Sequence, residues 1–209
     1  MLIEAMPGVF LVESNDRKGF GYSTLVVRPS GNVLVDPGRL GSLSRAFEAI
    51  EAKGGIRTVI VSDRHMGGGR ADEAKRRFGC AIYASDIEYA AYAKRGMADH
   101  VLPFEEQTIE AGIRLIPTPG HTPGQFTALM EVEGSRILFT SDFVWRAGGA
   151  WRPGNRSRKV MKPSFDRLRS LAFDTVFTWT GWDETEFGYR VDKPVGDVVD
   201  DMLAACDKP

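Results

Sequence analysis

The sequence predicts an α/β fold in which two β-sheets carry helices on their outer faces. The 209 residues have an ordinary globular composition, with 43% hydrophobic and 26% charged residues. Three short apolar runs come first, and later runs alternate with stretches of helical periodicity. Neither an internal repeat nor a low-complexity segment interrupts this pattern. We therefore expect a single domain over residues 1–209.

Short runs of β-branched and apolar residues predict the strands. These runs cover residues 9–12, 23–27, 32–35, 58–61, 80–83, 113–116, 126–130, 136–140 and 175–178. The run at 58–61 is apolar throughout, which is typical of a strand buried on both faces. Helical periodicity predicts the helices. They cover residues 43–52, 71–78, 87–93, 164–171 and 195–205.

Composition and charge argue against several classes of protein. A formal net charge of −1 argues against a dedicated basic nucleic-acid binder, and no apolar run reaches the roughly 18 residues of a membrane span. The first seven residues lack the basic and apolar regions of a signal peptide. Cys80 and Cys206 show no CxxC spacing, so neither a disulfide framework nor a zinc ribbon is expected. We expect a reduced, cytoplasmic protein that binds neither membranes nor nucleic acid, and the oligomeric state stays open.

The most informative stretch is the run Thr-Pro-Gly-His-Thr-Pro-Gly at residues 118–124. Its His121 is one of three histidines and lies between two predicted strands. Proline restricts φ and glycine permits positive φ, so this turn can hold an imidazole rigidly. A rigid imidazole suits a metal site, because ligands must keep their positions. An ordinary β-turn with a solvent-facing histidine is the alternative.

Other acidic and imidazole side chains follow predicted strands. Asp36 ends the third run, Asp63 and His65 follow the buried run at 58–61, and Asp142 follows the run at 136–140. Such groups tend to gather at one edge of a sheet, where loops build sites. Carboxylate and imidazole ligands suit zinc, iron or manganese. Taken singly, Asp36 and Asp142 could equally be turn or cap residues.

This arrangement resembles the metallo-β-lactamase superfamily over most of the chain. The Pro-Gly-His-Thr-Pro-Gly turn at residues 119–124 matches a family motif without change. Asp36 before Pro-Gly matches a strand-end aspartate, and the Leu-Phe-Thr-Ser-Asp run ending at Asp142 matches the motif of the bridging aspartate. The resemblance implies an αββα sandwich of two mixed sheets flanked by helices. It also implies a divalent metal centre.

The chain departs from the family at the metal ligands. Where the family has Thr-His-x-His-x-Asp-His, an ungapped alignment places Asp63 and His65 on the first two histidines and two glycines, Gly67 and Gly68, on the later pair. The late family histidine falls on Trp182. A dinuclear centre is therefore not expected. A deletion in the loop is the alternative, and it would move His65 to the later histidine and leave Asp63 without a role.

What the resemblance implies is a mononuclear metal-dependent hydrolase with a degenerate motif. Asp63, His65, His121 and Asp142 would bind one divalent ion, zinc or else iron or manganese, and Asp142 could also act as the catalytic base. Asp36 would support these ligands from behind. The substrate would be an ester, thioester, lactone or amide. The alternative is a metal-free family member that binds or senses a small anion.

A basic and aromatic segment follows Asp142. Six Arg and Lys residues and no acidic residue occur between positions 146 and 162, and all four tryptophans lie in this region or near position 180. In the family these segments lie at the mouth of the site, which implies a small anionic substrate bound by Arg146, Trp145 and Trp182. A solvated basic loop with core tryptophans is the alternative. An oligomer formed through the Trp segments is a third reading, and single-stranded nucleic acid ranks low.

Overall fold

The computed structural model describes residues 1–13, 22–38, 41–155, 157–178 and 186–207. It contains two compact units, Met1–Phe104 and Glu105–Pro209. We call these the N-terminal and C-terminal units. The prediction of a single domain stays a prediction.

The N-terminal unit is built on a seven-stranded mixed sheet in the order β1-β2-β3-β4-β5-β6-β7. Its strands are β1 (Leu2–Met6), β2 (Val9–Glu13), β3 (Tyr22–Val26), β4 (Val33–Val35), β5 (Thr58–Val61), β6 (Ala81–Ser85) and β7 (His100–Leu102). The first four strands pair antiparallel, and β4 to β7 pair in parallel. All four residues of β5 are buried, as its continuous apolar run predicts.

Three helices connect the parallel strands of the N-terminal unit. They are α1 (Phe47–Ala52), which follows a 3₁₀ turn at Ser44–Ala46, α2 (Arg70–Phe78) and α3 (Asp86–Tyr92). Because β4 and β5 run in parallel, the residues that follow them emerge at the same edge of the sheet. Asp36 and Asp63 therefore lie at that edge.

The C-terminal unit contains a six-stranded mixed sheet in the order β15-β14-β11-β10-β9-β8, and a separate two-stranded hairpin, β12-β13. The strands are β8 (Gln107–Ile109), β9 (Ile113–Pro117), β10 (Phe126–Val132), β11 (Ser135–Phe139), β12 (Val144–Ala147), β13 (Ala150–Pro153), β14 (Thr175–Phe177) and β15 (Gly188–Arg190). The helices are α4 (Arg158–Arg169) and α5 (Val195–Ala204).

The core of the C-terminal unit forms where α4 and α5 cover the sheet. Met161 and Phe165 of α4 and Val199 of α5 are fully buried in one apolar cluster with Leu138 of β11 and Val176 of β14. Burying each such side chain contributes roughly 1.5–3 kcal/mol, so this cluster anchors both helices on the sheet.

All the predicted strands and helices are present, and most bounds shift by one or two residues. The pattern missed six strands of the described chain, β1, β7, β8, β12, β13 and β15. Four of them lie at sheet edges and the other two form the separate hairpin, and most are only three or four residues long, where alternation is too short to read. The largest difference is α4, which begins at Arg158, six residues before its predicted start. Pro163 suggests a helix start but lies inside this helix, where it leaves the Lys159 carbonyl without an i+4 amide partner. None of the helices in the described ranges is long and apolar enough to cross a membrane.

Candidate metal centre

The N-terminal unit presents Asp63 and His65 on one tight turn. The Met66 amide donates to the Asp63 carbonyl at 3.1 Å, so residues 63–66 form a β-turn. The Asp63 carboxylate accepts the His65 amide at 2.7 Å, which is the local bond that favours aspartate at the first turn position. Its Oδ1 also lies 3.5 Å from His65 Nδ1. This hydrogen bond raises the pKa of the His65 imidazole above its ordinary value.

Asp36 supports this turn from the neighbouring strand end. Its side chain is buried, and Oδ1 accepts the amide of Ser62, the residue before Asp63, at 3.0 Å. Asp36 itself has a positive φ of 49°, a strained conformation for a residue other than glycine. The segment after it is held by Arg70, whose amide donates to the Gly38 carbonyl at 3.4 Å. Asp36 thus holds the backbone that leads into Asp63.

Gly67 and Gly68 have no room for side chains. A Cβ on Gly67 would lie 2.5 Å from Cε2 of Tyr92, and a Cβ on Gly68 would lie 2.5 Å from the Arg95 carbonyl oxygen. Gly68 also has a positive φ of 81°. Whichever alignment with the family holds, these two positions cannot carry the ligands that a second metal ion would need.

The C-terminal unit presents His121 on the turn that follows β9. His121 Nδ1 lies 3.2 Å from the Gly154 carbonyl oxygen. Because a carbonyl can only accept, Nδ1 carries the proton, and Nε2 of the neutral ring keeps its lone pair. Ser164 of α4 donates to the Pro119 carbonyl at 2.7 Å, which ties the turn to the helix. Metal-ligating histidines commonly have this arrangement, in which a backbone carbonyl holds the second ring nitrogen.

Asp142 is an acidic partner of that histidine. Its Oδ2 lies 3.8 Å from His121 Nε2, and both side chains are partly exposed, at 19% and 28%. Asp142 belongs to a 3₁₀ turn, Ser141–Phe143, whose first residue has a positive φ of 50°. Gly154 packs against both residues, since a Cβ there would lie 2.0 Å from the Asp142 carbonyl oxygen and 2.8 Å from His121 Cβ. Only glycine can occupy this position.

The candidate ligands therefore form two pairs, each with one imidazole and one carboxylate. Asp63 and His65 belong to the N-terminal unit, and His121 and Asp142 belong to the C-terminal unit. Oxygen and neutral imidazole donors fit zinc, iron or manganese, whereas no thiol belongs to the candidate group in the described chain.

The residues predicted to bind substrate lie on different faces of the β12-β13 hairpin. Arg146 is the cross-strand partner of Trp151, and Trp145 is the partner of Arg152. Successive residues of a strand point to opposite faces, so Arg146 and Trp145 face opposite ways. Trp151 packs against the core beneath α4 and α5. Trp182 lies outside the described residues.

Three of the six basic residues in this segment form ion pairs with acidic residues outside it. Arg146 pairs with Glu186 and donates to the Gly149 carbonyl at 3.1 Å, and its guanidinium lies 4.9 Å from the centre of the Tyr189 ring. Arg158 pairs with Asp207, and Lys162 pairs with Asp166. Glu186 and Asp207 come long after the segment, so its local composition overstates the positive charge.

Sequence reasoning missed several residues that shape these pairs. Gly154 and Ser164 position the His121 turn, and Tyr92 fills the space beside Gly67. Glu88 accepts hydrogen bonds from Arg64, which lies between two candidate ligands. For Glu88 a signal existed, since Ser85-x-x-Glu88 is a capping-box pattern and Ser85 Oγ accepts the Glu88 amide at 3.1 Å. The other contacts leave no mark in the local sequence.

Comparison with known proteins agrees with this reading of the fold. The sequence pattern of the metallo-beta-lactamase superfamily matches residues 16–180. A probable metallo-hydrolase of Methanocaldococcus jannaschii is 27% identical over 155 residues, which are 64% of this chain and 73% of that protein. A hydroxyacylglutathione hydrolase of Acidiphilium cryptum is 34% identical over 115 residues, which are 52% of this chain and 44% of that enzyme.

A solved metallo-beta-lactamase from Pontibacter korlensis has a TM-score of 0.73 at 17% identity, with 100% of this chain and 99% of that chain covered. At this identity the likeness speaks for the fold alone. The predicted fold class, an αββα sandwich with two mixed sheets flanked by helices, is confirmed. The chain belongs to the metallo-beta-lactamase superfamily.

Proposed function

We propose that the protein is a mononuclear metal-dependent hydrolase that cleaves an ester, thioester, lactone or amide in a small anionic substrate. The observation that carries the proposal is the hydrogen bond between His121 Nδ1 and the Gly154 carbonyl. This bond leaves Nε2 as the electron-pair donor, on the side of the ring where Asp142 lies. An ordinary solvent-facing turn histidine needs neither feature.

Asp63, His65, His121 and Asp142 would hold one divalent ion, and Asp36 would keep Asp63 in place through the Ser62 amide. When bound, such an ion supplies Lewis acidity to a carbonyl and makes water more acidic. Asp142 is the base in this proposal, and its Oδ2 takes the proton of the attacking water. The partial exposure of Asp142 and His121 leaves both within reach of substrate.

Among the four bond types, the thioester has the most direct support. One relative is named hydroxyacylglutathione hydrolase, a name that describes cleavage of an acyl group from the thiol glutathione. The present chain spans less than half of that enzyme, so its substrate is not carried over. Small carboxylated thioesters are nevertheless the first compounds to assay.

The hairpin suggests how an anion would be bound. Trp145 and Arg152 are directly opposed across β12 and β13, on the face turned away from Trp151 and the apolar core. Arg152 is exposed, whereas the Arg146 guanidinium is already paired with Glu186. In this proposal Trp145, three residues after Asp142, provides an apolar wall. Arg152, two residues before Gly154, provides the positive charge.

The test combines metal analysis with His121→Ala and a matched control, His100→Ala. His100 is exposed and stacks on Tyr83 in the N-terminal unit, so its loss removes an imidazole without touching a candidate ligand. We expect about one equivalent of metal in the wild type and in the control, and loss of metal and hydrolysis in His121→Ala. Below about a tenth of an equivalent, even after reconstitution with zinc, iron or manganese, the hydrolase proposal is wrong.

The second candidate is a metal-free protein that binds a small anion. The closed positions at Gly67 and Gly68 support it, because under the ungapped alignment they stand where the family has two metal ligands. It predicts no metal together with measurable affinity for a carboxylate probe such as succinate, and that affinity should fall in Arg152→Ala.

A further inference from the structure

Glu88 is a carboxylate buried without any exposed surface in the first turn of α3. Its amide donates to Ser85 Oγ, the N-cap side chain, at 3.1 Å. In a capping box the glutamate would fold back onto the start of its own helix. Glu88 instead directs both carboxylate oxygens to Arg64.

Three hydrogen bonds join Glu88 to Arg64. Glu88 Oε2 accepts the Arg64 amide and Nε, each at 2.8 Å, and Oε1 accepts Nη2 at 3.0 Å. Arg95 Nη2 donates to the Arg64 carbonyl at 3.3 Å. The amide, the carbonyl and the side chain of Arg64 are thus all held by other segments of the N-terminal unit.

Arg64 is the residue between Asp63 and His65 on the β-turn. The His65 side chain is 54% exposed, and the backbone of the turn carries it and its contact with Asp63. The backbone on the other side of Asp63 is held by Asp36 through Ser62. Glu88 therefore holds the backbone of the turn itself, as Asp36 holds the residue that precedes the turn.

We propose that Glu88, acting through Arg64, is a positioning residue that holds Asp63 and His65 in the geometry needed to bind a divalent cation. The inference rests on the proposed metal-binding function. A buried carboxylate is costly unless it is paired and hydrogen-bonded, and a bidentate guanidinium contact with an added backbone donor meets that need. An ion pair on the surface would not require a carboxylate to be removed from water. The burial of Glu88 beside the Asp63 turn is therefore better explained by a need to hold that turn.

The experiment titrates Co²⁺ into the metal-depleted full chain and follows the d–d absorption of the bound ion, with a chelator as competitor. Glu88→Gln keeps the size and one acceptor but loses the charge. By analogy with other residues that support metal ligands, we expect Co²⁺ affinity to fall by about 10- to 100-fold and the absorption spectrum to change. If Glu88 had only a structural role, Glu88→Gln would lower the melting temperature and leave the Co²⁺ spectrum and affinity unchanged.

The matched control is Asp99→Asn. Asp99 is also an ion-paired carboxylate that accepts a backbone amide, since it contacts Lys75 and the Ile82 amide at 2.9 Å. Ile82 is near the start of β6, and Glu88 follows the other end of that strand, where the Asp63 turn emerges from the parallel neighbour β5. Asp99→Asn should therefore bind Co²⁺ like the wild type.

Arg64→Lys provides a second test that does not depend on the fold tolerating an altered buried carboxylate. Lysine keeps the positive charge and the backbone bond to Glu88 but loses the bidentate contact, so an intermediate loss of affinity is expected. If the wild type fails to bind Co²⁺, the proposed function is wrong. If the wild type binds and both Glu88→Gln and Arg64→Lys bind equally well, the positioning role is wrong and the proposed function stands.

Discussion

The aromatic ring of Tyr92 occupies the space that a side chain on Gly67 would need. A Cβ at Gly67 would lie 2.5–2.6 Å from three ring atoms, and Tyr92 is fully buried. The ring belongs to the last turn of α3, so the helix packs against the backbone just after His65. Under the ungapped alignment with the family, a single substitution at Gly67 could therefore not restore a ligand without displacing the Tyr92 ring.

Gly67→Ala should destabilise the fold by about 1–3 kcal/mol, the usual cost of overpacking a rigid core. Gly196→Ala is the matched control, because its Cβ would meet only Arg169 atoms at 3.8 and 4.0 Å. In α5 the added methyl should stabilise by up to about 1 kcal/mol. Urea unfolding monitored by circular dichroism measures both changes. Equal stability of Gly67→Ala and the wild type would show that the Tyr92 ring can move aside.

Arg146 and Arg152 should behave differently although they lie on neighbouring strands. Arg146→Ala removes the partner of Glu186 and the contact with Tyr189, so it should lower the melting temperature and leave substrate preference unchanged. Arg152→Ala should leave the melting temperature unchanged, because its side chain is exposed. It should raise KM about 10-fold for a carboxylated ester, in line with the loss of one charged hydrogen bond.

Suitable probes are 4-nitrophenyl acetate, which is neutral, and mono-4-nitrophenyl succinate, which carries a carboxylate. The ratio of kcat/KM for the two esters isolates recognition of the charge from general damage to the site. A changed ratio in Arg146→Ala with an unchanged ratio in Arg152→Ala would assign the anion contact to the other face of the hairpin.

Cys80 should make the fold sensitive to alkaline pH. Burial raises the pKa of its thiol to about 11, so the folded protein holds this proton more tightly than the unfolded chain. For a raised pKa the stabilisation is complete below the unfolded value, and it is lost as pH rises through the folded value. The free energy of unfolding should therefore decline between roughly pH 9 and 11.

Urea unfolding of the wild type and Cys80→Ala at pH 8 and pH 10.5 measures this effect. The variant should show a smaller decline between the two pH values, because it has no thiol to ionise. The same decline in both proteins would assign the alkaline sensitivity to other groups.

Local sequence was enough to predict nine strands and all five helices, and to nominate the candidate ligands. A continuous apolar run such as that of β5 predicts a buried strand from local composition alone, and all four residues of β5 are buried. His121 and Asp142 stand out because proline, glycine and strand ends constrain the backbone at the residue itself. Those signals need no knowledge of what lies across the fold.

Only the tertiary structure decided how these residues are held. It pairs Arg146 with Glu186, joins Arg64 to Glu88, and turns His121 so that Nδ1 meets the Gly154 carbonyl. These partners are separated by 40, 24 and 33 residues, and each contact requires a particular path of the chain between them. Charge and hydrogen bonding act over a few ångströms of space, so the protonation and pairing of a candidate site depend on neighbours that the sequence leaves far apart.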